Sequence, residues 1–498
     1  MFNLIEKELN KSVTENGAIG YKTSGSALLD LNYQVSSLRN ASTSEIYLLF
    51  HMAYLENKKY ALKWLFFARD VRGGLGERRL FRICYRYLYV VDKEAFLSNL
   101  HNIAEYGRWD DLVSLVGIDD KMDSHIGKLI GYQLDSDLNC FNLGKPISLL
   151  AKWLPSENAS SKETKLLAKK VRKLLDLTSK EYRQTLSKLR KYSNVVEVQI
   201  CANEWSEIDY EKVPSLANLR YRNAFLHHDE TRRRNYLDSV NKGEAKLNMK
   251  VATPIDVVSR YCGGWYSIKE YDDTLELSWK NLPDVFVKDT LIVADGSGSM
   301  TTRVGGNTTA LDVANALAIY TSEHNTGVYK DKYITFSNTP QFVDLSKGDS
   351  LRNKLVIARK FNEVANTNIE AVFDLILAVA VENRISEDEM IKNILIISDM
   401  EFDAAQTTWR RNLPVLTKPL FDEIKERYQS KGYKLPKLVF WNVNSRTKTI
   451  PLLENELGVT LVSGFSQNVL QMVMSNKYDP YEVLLETLDN GRYDKVIF

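Results

Sequence analysis

The stretch that decides the fold is Leu291-Ile292-Val293-Ala294-Asp295-Gly296-Ser297-Gly298-Ser299-Met300. Its four leading apolar residues predict a short buried strand. The polar residues that follow place one carboxylate and two hydroxyls on a single tight loop. Oxygen groups of this kind suit Mg²⁺, which prefers octahedral coordination and usually keeps some of its waters. The first hypothesis is therefore a magnesium site that includes Asp295, Ser297 and Ser299.

From about residue 285 to residue 498, short apolar runs alternate with amphipathic helical segments. This alternation predicts a mostly parallel, Rossmann-like sheet that is covered on both faces. The predicted strands are 290–294, 332–336, 393–398, 437–443 and 459–462, and the predicted helices are 310–322, 369–382 and 418–430. Ligands of such sheets bind beyond the carboxyl ends of the strands. Asp295 and Asp399 both follow predicted strands, so we expect them at the same edge.

Residues 1–284 have a different pattern, in which apolar residues recur at helical spacing and strand-like alternation is scarce. Leu80, Cys84 and Leu88, for example, lie on one face of a predicted helix. Many medium-length helices in series predict an all-helical, HEAT-like array, open or closed into a ring, although the sequence has no repeat of fixed length. The predicted organisation is a helical domain, 1–284, followed by an α/β domain, 285–498.

The composition excludes several classes of protein. A chain of 498 residues is too long for one ordinary core, and 44% hydrophobic with 26% charged residues is typical of soluble globular proteins. The net charge of +2 means that attraction to nucleic acid would depend on local clusters of charge. We see no secretory signal, no bilayer-spanning apolar run and no CxxC spacing. The expectation is a cytoplasmic protein with reduced thiols and no membrane partner.

Two more oxygen-bearing segments complete a recognisable set: Asn366-Thr367-Asn368 before the helix 369–382, and Asp399 after the strand 393–398. In this order they resemble a von Willebrand factor A domain with its metal-ion-dependent adhesion site, which has DxSxS, then Thr, then Asp. The resemblance implies that Mg²⁺ or another divalent cation is bound by Asp295, Ser297, Ser299, Thr367 and Asp399. In that family one coordination position stays open for an acidic group of a partner.

Each of these assignments has an alternative. Aspartate and serine are also favoured N-cap residues, so the DxSxS loop could be a capped helix entry. Thr367 or its neighbour could simply cap the following helix. Glu401 or Asp403 could replace Asp399 as the acidic ligand. Patterns for dinucleotide, phosphate-loop, nucleophile-elbow and HExxH zinc sites are missing, so we expect no enzymatic activity, and a metal-dependent hydrolase is a weak third hypothesis.

The helical half carries two basic stripes. Arginines spaced four apart follow a glycine-rich turn near residue 75, and residues 160–191 contain eleven Lys or Arg against three Asp or Glu. Such stripes are often solvated helix faces, but guanidinium groups also match phosphate oxygens. The candidate RNA-binding residues are Arg69, Arg72, Arg78, Arg82, Arg86, Lys165, Lys169, Arg172 and Lys173. The glycines of the turn could serve only to let two helices meet closely.

An all-helical half followed by a von Willebrand A domain resembles the TROVE-domain proteins, the Ro autoantigen and its relatives. The segments RDVRGGLGER at 69–78, GRWDD at 107–111 and SDMEFD at 398–403 resemble a TROVE-like set from viruses, bacteria and plants more closely. The resemblance implies an RNA-binding scaffold in which a basic helical ring binds small structured or misfolded RNA. The alternative is a protein-interaction module without an RNA role, in which the metal accepts an acidic side chain from a protein partner.

Overall fold

The computed structural model describes residues 6, 8–193, 195–263, 267–284, 290–326, 329–336, 339–361, 368–403, 419–455, 457–473 and 477–498. The chain divides into two compact units. The first comprises Met1–Ala61 and Met249–Arg492, and the second comprises Leu62–Asn248 and Tyr493–Phe498. The boundary predicted at 284/285 therefore lies inside the first unit, and it separates segments that pack together.

The first half of the chain is mainly helical, as predicted. Its elements are β1 (Lys11–Val13), β2 (Ile19–Tyr21), α1 (Ala27–Tyr33), α2 (Thr43–Glu56), α3 (Lys58–Arg69), α4 (Arg78–Val91), α5 (Lys93–Ser98), α6 (Asn102–Tyr106), α7 (Trp109–Val113), α8 (Asp120–Asn142), α9 (Leu150–Trp153), α10 (Lys162–Leu174), α11 (Ser179–Tyr192), α12 (Val196–Cys201), α13 (Ser215–His228), α14 (Glu230–Lys242), α15 (Pro254–Tyr261) and α16 (Asp273–Lys280).

The second half alternates strands and helices. Its elements are β3 (Thr290–Asp295), β4 (Arg303–Gly305), β5 (Thr308–Thr309), α17 (Ala310–His324), β6 (Lys332–Phe336), β7 (Gln341–Asp344), α18 (Leu351–Arg359), α19 (Ile369–Glu382), β8 (Asn393–Ser398), α20 (Leu420–Ser430), β9 (Lys437–Asn442), β10 (Val459–Ser463), α21 (Leu470–Val473) and α22 (Pro480–Leu488). The five predicted strands are confirmed. The strand β7 was not predicted, because its side chains are mostly exposed and lack an apolar run.

Within the described residues, six strands form the central sheet in the order β10-β9-β8-β3-β6-β7. The neighbouring strands run parallel except β6 and β7, which are antiparallel. Every residue of β3 and of β9 is buried, as expected for strands that are covered on both faces. This is the doubly wound arrangement, in which ligands bind where the strand order reverses. Here the reversal lies between β3 and β8.

The first unit also includes helices that precede residue 285 in the sequence. The helix α15 packs on α17, which lies against β3, β6 and β8, and α1 packs on the edge strand β10. The apolar faces of these early helices are therefore buried on the α/β layer, and this is why a linear boundary does not separate the units. None of the described helices is both long and apolar enough to cross a bilayer.

The second unit contains the helices from residue 62 to residue 248. The long helix α8 contacts α9, α10 and α11, and α13 packs on α14. One glycine of α8 assists this packing: a Cβ atom at Gly127 would lie only 3.0 Å from the Leu174 side chain of α10. The helical character predicted for this region is confirmed, whereas a ring built of HEAT-like repeats stays a prediction.

The glycine-rich segment 69–78 is part of a packed junction in the second unit. Asp111, 1% exposed, accepts hydrogen bonds from Arg69 Nε at 2.8 Å and from Arg82 Nε at 2.7 Å. The Arg69 side chain is itself only 2% exposed. A Cβ atom at Gly74 would lie 2.0 Å from the carbonyl oxygen of Phe67, so only glycine fits there. The alternative that these glycines permit a tight helix junction is therefore supported.

This junction predicts a large effect on stability. Replacing Asp111 with Ala leaves the buried Arg69 guanidinium without its carboxylate, and loss of one partner of a buried ion pair costs about 3–5 kcal/mol. Urea unfolding followed by circular dichroism should show this loss. The control is Arg234→Ala, which removes an exposed pair with Glu230 and should cost less than about 1 kcal/mol. Equal effects of the two substitutions would contradict the interpretation.

Candidate metal-binding site

The loop after β3 brings the DxSxS side chains together. Asp295 ends the strand and is 1% exposed, and its Oδ1 accepts a hydrogen bond from the Ser297 N–H at 2.9 Å. The hydroxyls of Ser297 and Ser299 lie 2.9 Å apart. A 3₁₀ turn, Gly298–Thr301, follows Ser297, but the Ser297 side chain makes no capping hydrogen bond to it. The capping alternative therefore does not explain this serine.

The strand β8 supplies the second carboxylate from a neighbouring position. Because β3 and β8 are adjacent and parallel, their carboxyl ends meet at one edge of the sheet. Ser398 ends β8 and donates a hydrogen bond from Oγ to Asp295 Oδ2 at 2.7 Å. The next residue, Asp399, is 1% exposed, and the Ser299 hydroxyl lies close enough to influence the pKa of its carboxyl. Four of the five predicted ligands therefore converge, and Thr367 lies outside the described residues.

The electrostatics of this site favour a bound cation. Burial raises the pKa of Asp295 to about 6. Burial, followed by the charge of Asp295, raises the pKa of Asp399 to about 7. Asp399 Oδ2 accepts no hydrogen bond from any described residue, and Nη2 of Arg446 lies 3.6 Å from it. A buried carboxylate oxygen that lacks a donor is costly unless a cation compensates it.

The donor set fits a hard cation. Within the described ranges, no group of three or more His, Cys, Asp or Glu side chains is placed to hold a metal ion, and the site instead combines two carboxylates with two hydroxyls. Oxygen donors of this kind suit Mg²⁺, Ca²⁺ or Mn²⁺ rather than the softer metals that select thiolate. In this chain Asp295, Ser297, Ser299 and Asp399 would hold the ion. The sequence predicted all four as ligands, and the structure brings them together, while the ligand role stays a prediction.

Glu401, which the sequence left open as a substitute for Asp399, has another role. Its side chain is fully buried and accepts hydrogen bonds from the backbone N–H groups of Glu15 at 2.9 Å, Arg446 at 2.7 Å and Thr447 at 2.8 Å. These bonds fix the loop that follows β8. Because the Glu401 oxygens are engaged in this way, Asp399 is the better candidate ligand. Asp403, the other alternative, forms a backbone bridge with Gly17, and the charge of its side chain contributes to the raised pKa of Asp295, so it stays open as an acidic ligand.

Sequence reasoning missed the residues that support this loop. The turn between β1 and β2, near the amino end of the chain, is hydrogen-bonded to the loop after β8. Thr14 Oγ1 donates to the Phe402 carbonyl at 2.6 Å, and Asn16 Nδ2 donates to the Glu401 carbonyl at 2.7 Å. Nearly 400 residues separate these partners along the chain. No local pattern connects them, so only the folded structure could have identified the turn as part of the site.

The candidate RNA-binding residues separate into two groups. Arg69 is buried in its ion pair with Asp111, which corrects its assignment to an RNA-binding surface. Arg82 also pairs with Asp111, and Arg172 pairs with Glu157 at 3.0 Å. The candidates with exposed side chains are Arg72, Arg78, Arg86, Lys165, Lys169 and Lys173. Within this exposed group, Arg72 Nη1 donates to the Glu105 carbonyl at 3.1 Å and Arg86 donates to the Ser114 carbonyl.

Comparison with known proteins places the chain in a family. The family model described as "Domain of unknown function (DUF2828)" matches residues 14–125 and 122–286, which together are more than half of the chain. A second model, "Domain of unknown function (DUF7788)", matches residues 289–491 and so includes the candidate metal site. An uncharacterized protein of Acanthamoeba polyphaga mimivirus, L728, is 30% identical over 96% of this chain and 87% of its own length. The chain therefore belongs to the DUF2828 family.

Proposed function

We propose that this protein binds a divalent cation, Mg²⁺, at Asp295, Ser297, Ser299 and Asp399, and that the ion presents an open position to an acidic group of a protein partner. Thr367 completes the ligand set in the proposed site, as the resemblance to von Willebrand A domains implies. The single observation that carries the proposal is Asp399 Oδ2, a buried oxygen without a hydrogen-bond donor among the described residues, beside a second buried carboxylate.

The position of the site supports the same proposal. The reversal of strand order between β3 and β8 is where doubly wound sheets bind ligands. We assign no reaction to the site. In this proposal the hydroxyls of Ser297 and Ser299, which lie 2.9 Å apart, are metal ligands and not nucleophiles. The four cysteines are free thiols, which fits the cytoplasmic location that we propose.

RNA binding is the second candidate function, and a specific surface favours it. The helices α10 and α11 present exposed cations along much of their length: Lys162, Lys165, Lys169, Lys170, Lys173, Lys180, Arg183, Lys188 and Lys191. Glu163 and Glu181 are the exposed acids of these two helices, and each bonds to a hydroxyl at its own helix start. A polyanion such as RNA would gain from this uncompensated charge. The TROVE-like resemblance makes a small structured RNA the first ligand to test.

Mutation of the acidic ligands tests the metal site. In Asp295→Ala and Asp399→Asn, Mn²⁺ affinity measured by calorimetry should fall at least about tenfold, since even outer-shell changes cost 10–100-fold. Asp399→Asn should also raise the thermal stability of the metal-free protein, because it removes one of two repelling buried charges. The control is Asp344→Asn, an exposed aspartate at the end of β7. Unchanged Mn²⁺ affinity in both site variants would refute the proposal.

The raised pKa values predict a pH dependence of stability. Since folding raises both carboxyl pKa values above the ordinary value of about 4, their contribution to stability is greatest below that pH and is lost as the pH rises through about 6 to 7. The metal-free protein should therefore lose thermal stability between about pH 4 and about pH 7 and change little at higher pH. Mg²⁺ should restore more stability at the higher pH, because it binds the ionised carboxylates. In the Asp399→Asn variant, thermal stability should depend less on pH over this interval.

Charge reversal tests the RNA surface. A triple variant, Lys165→Glu with Lys169→Glu and Lys173→Glu, should weaken binding of a labelled hairpin RNA in filter-binding titrations. Its salt dependence, d log K/d log[salt], should also become less negative by about 2 to 3, because roughly three phosphate contacts are lost. The matched control reverses three exposed lysines of the other unit, Lys347, Lys360 and Lys431. Equal RNA affinity in wild type, variant and control would contradict an RNA role for α10.

A further inference from the structure

One arginine lies beside the proposed metal site without being one of its ligands. Arg446 follows β9, and its backbone N–H donates to Glu401 Oε1 at 2.7 Å. This bond fixes the main chain of Arg446 next to the loop that carries Asp399. The side chain is 38% exposed, so its guanidinium reaches solvent as well as the site. Arg446 therefore combines a fixed backbone with an accessible guanidinium group.

The guanidinium of Arg446 lies between two carboxylates. Its Nη2 is 2.7 Å from Glu15 Oε2 and 3.6 Å from Asp399 Oδ2. Glu15 belongs to the turn between β1 and β2, and its backbone N–H donates to Glu401 Oε2 at 2.9 Å. The same buried carboxylate thus holds both Glu15 and Arg446 in place. The Glu15 side chain is 53% exposed, and an ion pair with a partner this exposed is weak and easily exchanged.

We infer that Arg446 is a second anion-binding group of the metal site, and that Glu15 is an internal competitor for the anion of a ligand. The inference rests on the proposed function, because it assumes an ion at Asp295 and Asp399. A divalent cation there would repel the Arg446 guanidinium from Asp399 and compensate that carboxylate itself. The arginine fork then binds the oxyanion of an incoming acidic side chain, which takes the place of Glu15.

The arrangement defines the chemistry of the partner. A peptide segment with oxyanionic side chains can contact the cation and the guanidinium together, whereas a neutral segment gains from neither. Two contacts of this kind also select for geometry, since a guanidinium fork presents its donors in a plane and an ammonium does not. The partner is therefore a protein segment rich in glutamate or carrying phosphoserine, and the two sources share the same oxyanion chemistry.

The test measures metal and peptide binding separately on the full-length chain. The probes are Mn²⁺ alone, followed by calorimetry, and two fluorescein-labelled peptides in saturating Mn²⁺, one of consecutive glutamates and one with phosphoserine, followed by anisotropy. Arg446→Gln should weaken peptide binding at least about tenfold, and Arg446→Lys should weaken it less, while Mn²⁺ affinity is unchanged or higher. Glu15→Gln should strengthen peptide binding by about threefold. The matched control is Arg352→Gln, an arginine that pairs with the exposed Glu270.

The outcomes separate this inference from the proposed function. Failure of Mn²⁺ to bind the wild type overturns both. Normal Mn²⁺ binding with no Mn²⁺-dependent binding of either peptide overturns the inference alone, as does equal peptide affinity in wild type and Arg446→Gln. Weaker Mn²⁺ binding in Arg446→Gln would assign the residue a structural role and also overturn the inference. The preferred peptide identifies the source of the oxyanion, and thermal unfolding confirms that each variant is folded.

Discussion

The burial of two carboxylates side by side is the constraint on which the interpretation of this protein depends. Asp295 and Asp399 lie at the carboxyl ends of adjacent parallel strands, and each is 1% exposed. Their charged forms are penalised by lost hydration, and that of Asp399 also by the charge of Asp295, so both pKa values rise. A fold that places two such groups together needs either protons or a cation to stabilise them. Hydroxyls at the same edge favour the cation, because they add further oxygen donors.

Glu401 shows how the same fold treats a buried carboxylate that has a structural role. Three backbone N–H groups from two distant segments donate to it. Backbone donors favour the charged form and compensate burial without a metal. The contrast with Asp399, two residues earlier, is informative: Glu401 accepts from three backbone donors, whereas one oxygen of Asp399 has no hydrogen-bond donor in the part of the chain that the structure describes. This difference favours Asp399 over Glu401 as the candidate ligand.

Charge in the helical unit divides in a similar way. Arginines next to the glycine-rich segment contribute to internal ion pairs, with Asp111 at their centre, whereas the lysines of α10 remain exposed. The sequence gives the spacing of cations along a helix. That spacing is the same whether a guanidinium faces a carboxylate of another helix or faces solvent. The long, delocalised arginine side chain forms buried pairs more readily than lysine. The lysines are therefore the better candidates for contact with a polyanion.

The sequence by itself determined the alternation of strands and helices after residue 285 and pointed to the four described residues that are proposed as ligands. It could do so because strand ends, apolar runs and the DxSxS spacing are local patterns. Only the tertiary structure decided that Asp399 rather than Glu401 has an oxygen without a hydrogen-bond donor among the described residues, that Arg69 is buried, and that Glu15 and Arg446 meet beside the site. These facts depend on contacts between segments hundreds of residues apart, where burial and donor geometry are set by packing. No local pattern in the chain encodes them.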